Sequence, residues 1–174
     1  MALFKETYAY KKFFINPPST QTLRYVKNNA SKEIIALVDT SNKAFGTLIE
    51  NVARDLFVME TPNDSECDAI LNRHRIEIKA SRYAAKTGEI RWQHITPSHD
   101  FKFLIGVEVG YQNLKFYFTT KDKILSNPLF FTNQGGKNNS QGLWCAYKKA
   151  PPPDICTEFT TREELLALIA AEQV

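Results

Sequence analysis

Two acidic residues and one lysine stand close together in the middle of the chain, in the stretch CDAILNRHRIEIKAS. Asp68, Glu77 and Lys79 form an Asp-x8-Glu-x-Lys array. Carboxylates that hold a hard divalent cation can stabilise charge on a phosphoryl group and help to generate a nucleophile from water. The array therefore indicates a metal site with a lysine beside it.

A short β-hairpin would explain the gap of eight residues in this array. With Asn72 and Arg73 as a two-residue turn, antiparallel pairing sets Asp68 opposite Glu77. The intervening pairs are then Leu71–His74, Ile70–Arg75 and Ala69–Ile76. Side chains alternate between the faces of a strand, so Glu77 and Lys79 share one face. Opposed carboxylates repel each other, and a shared cation relieves that repulsion.

The residues before the array predict a helix that brings a further carboxylate. Apolar residues in SNKAFGTLIENVARDLF follow the spacing of one helical stripe from about 43 to 56. The stripe consists of Phe45, Leu48, Ile49, Val52, Ala53 and Leu56. Either Ser41 or Asn42 is expected to be the N-cap. Glu50 lies on the flank of this stripe, where it can face the end of a sheet, and Gly46 leaves room for a close neighbour.

The chain after this helix predicts a run of strands. The strand-like segments are 57–60, 67–71, 75–81, 89–95, 101–109 and 114–120, and short helices are expected in TQTLRYVKNN, KDKILSN and TREELLALIAAEQ. One helix followed by many strands favours an α/β (α+β) fold with a central mixed β-sheet flanked by helices. We expect a single domain over residues 1–174, with its core at about 42–120 and with 1–41 and 121–174 as elaborations.

Composition limits the classes of function only weakly. The chain of 174 residues is 43% hydrophobic, and its net charge of +3 permits a polyanionic partner without requiring one. Cys67, Cys145 and Cys156 lack CxxC spacing, so neither a disulfide framework nor a zinc cluster is indicated. The sequence has no signal-peptide pattern and no segment of membrane-spanning character. We therefore expect a soluble, cytoplasmic protein without a membrane partner.

The order of these residues resembles the PD-(D/E)xK nuclease superfamily, which includes most type II restriction endonucleases, Holliday-junction resolvases and mismatch-repair nicking endonucleases. The matching residues are Glu50 in NKAFGTLIENVARDLF, Asp68 in CDAIL, and Glu77 with Lys79 in RIEIKAS. Cys67 stands where proline often precedes the aspartate, but proline is not a ligand. By the same likeness, Gln93 is a candidate accessory residue of the site. The resemblance implies a restriction-endonuclease-like core.

The resemblance also implies a metal and a mechanism. Mg²⁺, with Mn²⁺ as a substitute, would be bound by Asp68, Glu77, the backbone carbonyl of Ile78, and Glu50 directly or through water. Lys79 would hold the attacking water near the scissile phosphate. The products would carry a 5′-phosphate and a 3′-hydroxyl.

The sequence leaves three hypotheses about the function open. The first is a site-specific type II restriction endonuclease that cuts double-stranded DNA as a homodimer. The second is a DNA-repair nickase or a structure-selective, resolvase-type nuclease that uses the same centre. The third is a non-catalytic DNA-binding protein with a nuclease fold.

Basic and polar side chains around the array are candidates for contacts to DNA. They are Arg73, Arg75, Arg82, Lys86 and Arg91, together with Lys137, Asn138, Asn139 and Gln141 in a polar loop. His94 and His99 flank Thr96-Pro97. We interpret both histidines as ordinary polar residues at strand ends, with a zinc ligand or a general base as the alternative.

Overall fold

The computed structural model describes residues 18–135 and 142–172. Within these ranges the helices are α1 (Thr20–Lys27), α2 (Lys32–Val38), α3 (Asn42–Phe57), α4 (Lys121–Ser126) and α5 (Arg162–Ala171). The strands are β1 (Ala69–Leu71), β2 (His74–Arg82), β3 (Ile90–Ile95), β4 (Phe103–Val109), β5 (Leu114–Thr120), β6 (Thr132–Asn133), β7 (Leu143–Tyr147) and β8 (Thr157–Phe159).

These strands form two sheets. The larger sheet has the order β1-β2-β4-β5-β8, in which β2 and β4 are parallel and the other neighbours are antiparallel. The smaller sheet has the order β3-β7-β6 and is antiparallel. The predicted α/β class with a mixed sheet and flanking helices is confirmed. The smaller sheet was not expected, because it joins the predicted strand at 89–95 to a strand far along the chain.

Strand β4 shows how the two sheets pack together. All seven of its residues are buried, because it lies between β2 and β5 with apolar layers on both faces. Phe103 and Ile105 face the layer under α3, whereas Leu104 faces the layer shared with β3 and β7. A Cβ at Gly106 would overlap the Trp92 ring. Glycine at this position therefore lets the second sheet approach the first.

The predicted bounds of helix α3 are confirmed, but only part of its predicted apolar stripe is buried. Its buried residues are Phe45, Ile49, Ala53 and Phe57, whereas Leu48 is 41% exposed and Leu56 is 56% exposed. A single row of residues at four-residue spacing packs against the sheet and the core. The predicted burial of Leu48 and Leu56 is therefore wrong.

The predicted strand at 57–60 is also wrong. Phe57 ends α3, and Glu60 forms only an isolated bridge with Ile70. No helix in the described part of the chain has the length and apolar content needed to cross a membrane.

The end of α3 stores backbone strain at an exposed valine. Val58 has φ 51° and ψ 59°, the left-handed conformation that β-branched residues avoid, and its side chain is 69% exposed. Glycine takes this conformation without a steric penalty and is the usual residue at helix ends of this kind. We expect Val58→Gly to raise the free energy of unfolding by about 1 kcal/mol, measured by urea denaturation.

The matched control for Val58→Gly is Val52→Gly. Val52 lies within α3, where glycine destabilises a helix by about 1 kcal/mol. The two valine-to-glycine changes should therefore have opposite signs. A loss of stability in both variants would contradict the strain at Val58.

Candidate active site

The β1–β2 hairpin forms as the sequence predicts. Asn72 and Arg73 have φ values of 49° and 69°, and positive φ at both central residues is the signature of a type I′ turn. The ladder contains the three predicted pairs, Leu71–His74, Ile70–Arg75 and Ala69–Ile76. The turn and its register are therefore confirmed.

The ladder ends before the acidic residues. The N–H of Asp68 donates to the carbonyl of Ile76 at 2.9 Å, and Asp68 Oδ2 accepts from the N–H of Ile78 at 2.7 Å. The predicted direct pairing of Asp68 with Glu77 is therefore wrong. The local reason is that the Asp68 carboxylate makes a charge-assisted hydrogen bond to the β2 backbone. This bond holds the carboxylate at the β2 backbone between Glu77 and Lys79.

Glu77 is a buried carboxylate whose ion-pair partner among the described residues is Lys79. The residue is 3% exposed, and its Oε1 forms an ion pair with Lys79 Nζ. Burial raises the pKa of Glu77, with the charge of Asp68 adding to the increase and that of Lys79 opposing it. Burying a carboxylate costs free energy that a single neighbouring ammonium only partly offsets. Glu77 is therefore in a position where a further cation would stabilise its charged form.

Glu50 belongs to the same group of charges. Burial and then the charge of Asp68 raise its pKa, whereas Lys79 and Arg54 act in the opposite direction. Glu50 Oε1 lies 3.8 Å from where a Cβ on Gly46 would be, so the carboxylate lies back along α3 over the glycine. The charges of Glu50, Asp68, Glu77 and Lys79, the four residues that the sequence singled out, therefore act on one another. We call these four residues the acidic cluster.

Arg54 is a member of this region that the sequence reasoning missed. Its Nη1 donates to the backbone carbonyl of Asp68 at 2.6 Å and so ties α3 to the start of β1. The available signal was its position one helical turn after Glu50, on the same side of the predicted helix. Arg54 therefore fixes the distance between the helix and the strand that carry the carboxylates.

His99 is a second neighbour that the sequence did not reveal. Its charge acts to lower the pKa of Glu77. Lys121 Nζ donates to the His99 carbonyl at 2.8 Å and holds the loop before β4 in place. No local pattern links His99 to Glu77, because the parallel pairing of β2 with β4 creates their proximity.

The donor chemistry of the acidic cluster fits Mg²⁺ in part. Within residues 18–135 and 142–172, no three His, Cys, Asp or Glu side chains are arranged to hold one metal ion. Mg²⁺ commonly takes only one or two carboxylates and completes its shell with water and phosphate oxygens. Asp68 and Glu77 supply carboxylate oxygens, which is the type of donor that this smaller requirement calls for. The side chain of Ile78, 2% exposed, points into the core, and its N–H is bonded to Asp68.

Gln93 lies outside the acidic cluster. It is exposed on β3 of the smaller sheet and lines a cleft of about 350 Å³. The cleft also includes Gly46 and Ala80, so it adjoins α3 and β2. The structure therefore places Gln93 beside the acidic cluster rather than within it.

Some of the candidate DNA-contacting side chains are held by protein partners, whereas others are exposed. Arg75 pairs with Asp64 at 2.5 Å and with Asp100 at 3.2 Å. Arg82 donates to the backbone carbonyls of Val38 and Thr40, where it holds the α2–α3 connection. Arg73 and Lys86 are exposed, and Arg91 is half-buried. The predicted loop residues Lys137, Asn138, Asn139 and Gln141 lie outside the described residues.

No family model matches the chain, and no curated protein matches its sequence. The likeness to the PD-(D/E)xK pattern therefore rests on the types and order of the residues.

Proposed function

We propose that the protein is a Mg²⁺-dependent endodeoxyribonuclease with a restriction-endonuclease-like core, acting as a type II site-specific enzyme. The observation that supports this most is the buried Glu77 carboxylate, paired with Lys79 and surrounded by the charges of Asp68 and Glu50. Carboxylates with raised pKa values that crowd together at the edge of a sheet are costly for folding and are typical of functional sites.

Each member of the acidic cluster has a separate role in this proposal. Asp68 and Glu77 hold the metal ion, and Glu50 adds a third negative charge on the helix side. Lys79 holds a water molecule and places positive charge beside the phosphoryl oxygens as negative charge develops on them. Glu77 orients Lys79 through their ion pair. When bound, Mg²⁺ supplies charge stabilisation and lowers the pKa of coordinated water.

A homodimer is part of the proposal for a chemical reason. One acidic cluster per chain provides one set of groups for one phosphodiester bond. Two chains related by two-fold symmetry would present two such sets to opposite strands of a symmetric DNA site.

The proposed activity is tested by incubating the purified protein with supercoiled plasmid DNA and Mg²⁺. Discrete linear fragments would support a site-specific enzyme that cuts both strands. Nicked circles without linear product would support a nickase, and preferential cutting of a four-way junction would support a resolvase-type nuclease. DNA that is bound but not cut, with either Mg²⁺ or Mn²⁺, would refute the enzymatic proposal and favour a non-catalytic DNA-binding protein.

Metal binding should also be visible without DNA. At a Mg²⁺ concentration of about ten times Kd, we expect the free energy of unfolding to rise by about 1.4 kcal/mol, because the ion binds the folded state alone. Thermal unfolding in Mg²⁺ and in EDTA measures this difference. Asp68→Asn should remove most of the gain.

Glu60→Gln is the matched control for the metal experiment. Glu60 is exposed and lies outside the acidic cluster, so the stabilisation by Mg²⁺ should persist in this variant. An equal response in the unaltered protein and in Asp68→Asn would exclude Asp68 as a metal ligand.

A further inference from the structure

A cleft of about 350 Å³ lies between the end of β2, the start of α3 and β3. Ser81 lines this cleft and lies two residues after Lys79, which corresponds to about 6.6 Å along a strand. Residues two apart point to the same side of a strand, so Glu77, Lys79 and Ser81 share one face. On the helix side, Gly46 lines the cleft and lies beside the Glu50 carboxylate. An extended ligand that lies along this face of β2 past Lys79 would therefore reach the cleft at Ser81.

The opposite wall of the cleft is a strained bulge in β3. The register between β3 and β7 shifts between Trp92 and Ile95, so Gln93 and His94 fall in an irregularity of the strand. His94 has φ 57°, a conformation that is uncommon for residues other than glycine, and its side chain is exposed in the cleft. Bulges and left-handed residues are frequent beside functional sites, where they redirect side chains.

Contacts from the neighbouring strands hold this bulge in its strained form. The His94 N–H donates to Gln134 Oε1 at 2.8 Å, and the Gln134 N–H donates to the Gly142 carbonyl at 2.8 Å. Gly142 has φ 79°, and a Cβ there would overlap the Ile95 carbonyl. The bulge is therefore built into the packing of β3 against its neighbours.

The polar groups of the cleft suit a phosphate backbone better than an apolar ligand. Arg91 binds Glu89 through Nε at 3.3 Å and Nη2 at 2.7 Å. The Arg91 guanidinium also lies over the Trp144 ring, 5.8 Å from its centroid, and no hydrogen bond of its Nη1 is found among the described residues. The backbone N–H of Arg91 donates to Ser81 Oγ at 2.9 Å and so fixes the residue on the wall of the cleft. The imidazole of His94 and the amide of Gln93 supply further hydrogen-bonding groups.

We propose that this cleft binds the sugar-phosphate backbone of the DNA strand next to the scissile phosphate, with Arg91 and His94 as its main contacts. The inference rests on the proposed nuclease function and specifies how the substrate strand lies relative to Lys79. Phosphate contacts position a strand without reading its sequence. The cleft accordingly sets the register of the strand on the acidic cluster, and base recognition lies elsewhere.

Equilibrium binding of a fluorescently labelled duplex DNA to the full-length protein, with Ca²⁺ in place of Mg²⁺, tests this inference. Loss of a phosphate contact in Arg91→Ala should weaken binding about tenfold and reduce the slope of log K against log salt by about 1. His94→Asn should weaken binding about threefold, because asparagine tolerates positive φ but lacks the imidazole. Lys27→Ala, which removes an exposed charge outside the cleft, should leave binding and slope unchanged.

A second variant at position 94 separates binding from stability. Glycine accepts φ 57° without strain and keeps the N–H that bonds to Gln134. We therefore expect His94→Gly to have a Tm equal to or above that of the unaltered protein, and still to bind DNA more weakly. Weaker binding that accompanies a lower Tm would mean that His94 serves the fold alone, and would overturn its role as a contact.

The remaining outcomes show whether the proposal for the cleft fails alone or together with the proposed nuclease function. If the protein cuts plasmid DNA but Arg91→Ala and His94→Asn bind and cut as it does, the cleft is not the strand site and the nuclease function stands. If Lys27→Ala weakens binding as much as Arg91→Ala, general charge rather than the cleft carries affinity, and the inference fails. If the unaltered protein neither binds nor cuts DNA, both proposals fail.

Discussion

Replacing Lys79 with alanine is expected to lower Mg²⁺-dependent DNA cleavage by about 10³-fold while leaving DNA affinity within about threefold of the original. The change removes the ammonium group that holds the water and stabilises the phosphoryl oxygens, but it leaves both Asp68 and Glu77 in place. Single-turnover cleavage of plasmid DNA measures the first effect. Binding of the same DNA in Ca²⁺ measures the second.

The chain contains a matched control for Lys79→Ala on the neighbouring strands. Lys115 lies 3.8 Å from the buried carboxylate of Glu108, much as Lys79 lies beside Glu77. Lys115→Ala also removes a lysine from beside a buried carboxylate, but outside the acidic cluster. It should affect stability in the same direction and leave cleavage unchanged.

The comparison of the two lysine variants decides whether Lys79 acts in chemistry or in folding. Cleavage by Lys79→Ala within a fewfold of the original would remove Lys79 from the mechanism. Equal losses in both variants would show that the loss follows from destabilisation.

The second large effect is expected from Glu77→Gln, which should abolish cleavage and at the same time keep or raise stability at neutral pH. Burial raises the pKa of Glu77 in the folded protein, so the folded state binds a proton at this carboxyl more tightly than the unfolded state does. Its contribution to stability is therefore greatest below the unfolded pKa of about 4.3 and is lost as pH rises through the folded pKa. Glutamine keeps the shape of the side chain but never carries the charge.

Thermal unfolding across a series of pH values measures the effect of Glu77→Gln. The fall in Tm above the unfolded pKa should be smaller in the variant than in the unaltered protein. Glu158→Gln, an exposed carboxylate on β8, should keep the original pH profile and the original cleavage rate. Identical pH profiles for Glu77→Gln and the unaltered protein would contradict the raised pKa, and cleavage retained in the variant would exclude Glu77 from the metal site.

The sequence by itself determined the local parts of the candidate site. The Asn72-Arg73 turn and the three pairs after it follow from the chemistry of a two-residue hairpin, which depends on adjacent residues. The bounds of α3 follow from helical spacing, and the sequence limited its N-cap to Ser41 or Asn42. The structure shows that the cap is Ser41, whose side chain accepts the Ala44 N–H. Alternation along β2 likewise placed Glu77 and Lys79 on one face.

Local patterns were less informative where burial depends on distant partners. The stripe on α3 predicted six buried residues, but only one side of it meets the sheet, so Leu48 and Leu56 remain exposed. The helix α2 and the strand β7 were missed. The strand β7 is stabilised by pairing with β3, which is more than forty residues earlier in the chain.

Only the tertiary structure decided which groups surround the array and how its carboxylates are held. Asp68 is bonded to the Ile78 N–H, Arg54 ties the helix to β1, and His99 approaches Glu77 because β2 and β4 are parallel neighbours. The division of the strands into two sheets created the cleft at the end of β2 and the strained position of His94. The residue types of the array are a property of the sequence, whereas their environment depends on contacts between segments that are far apart along the chain.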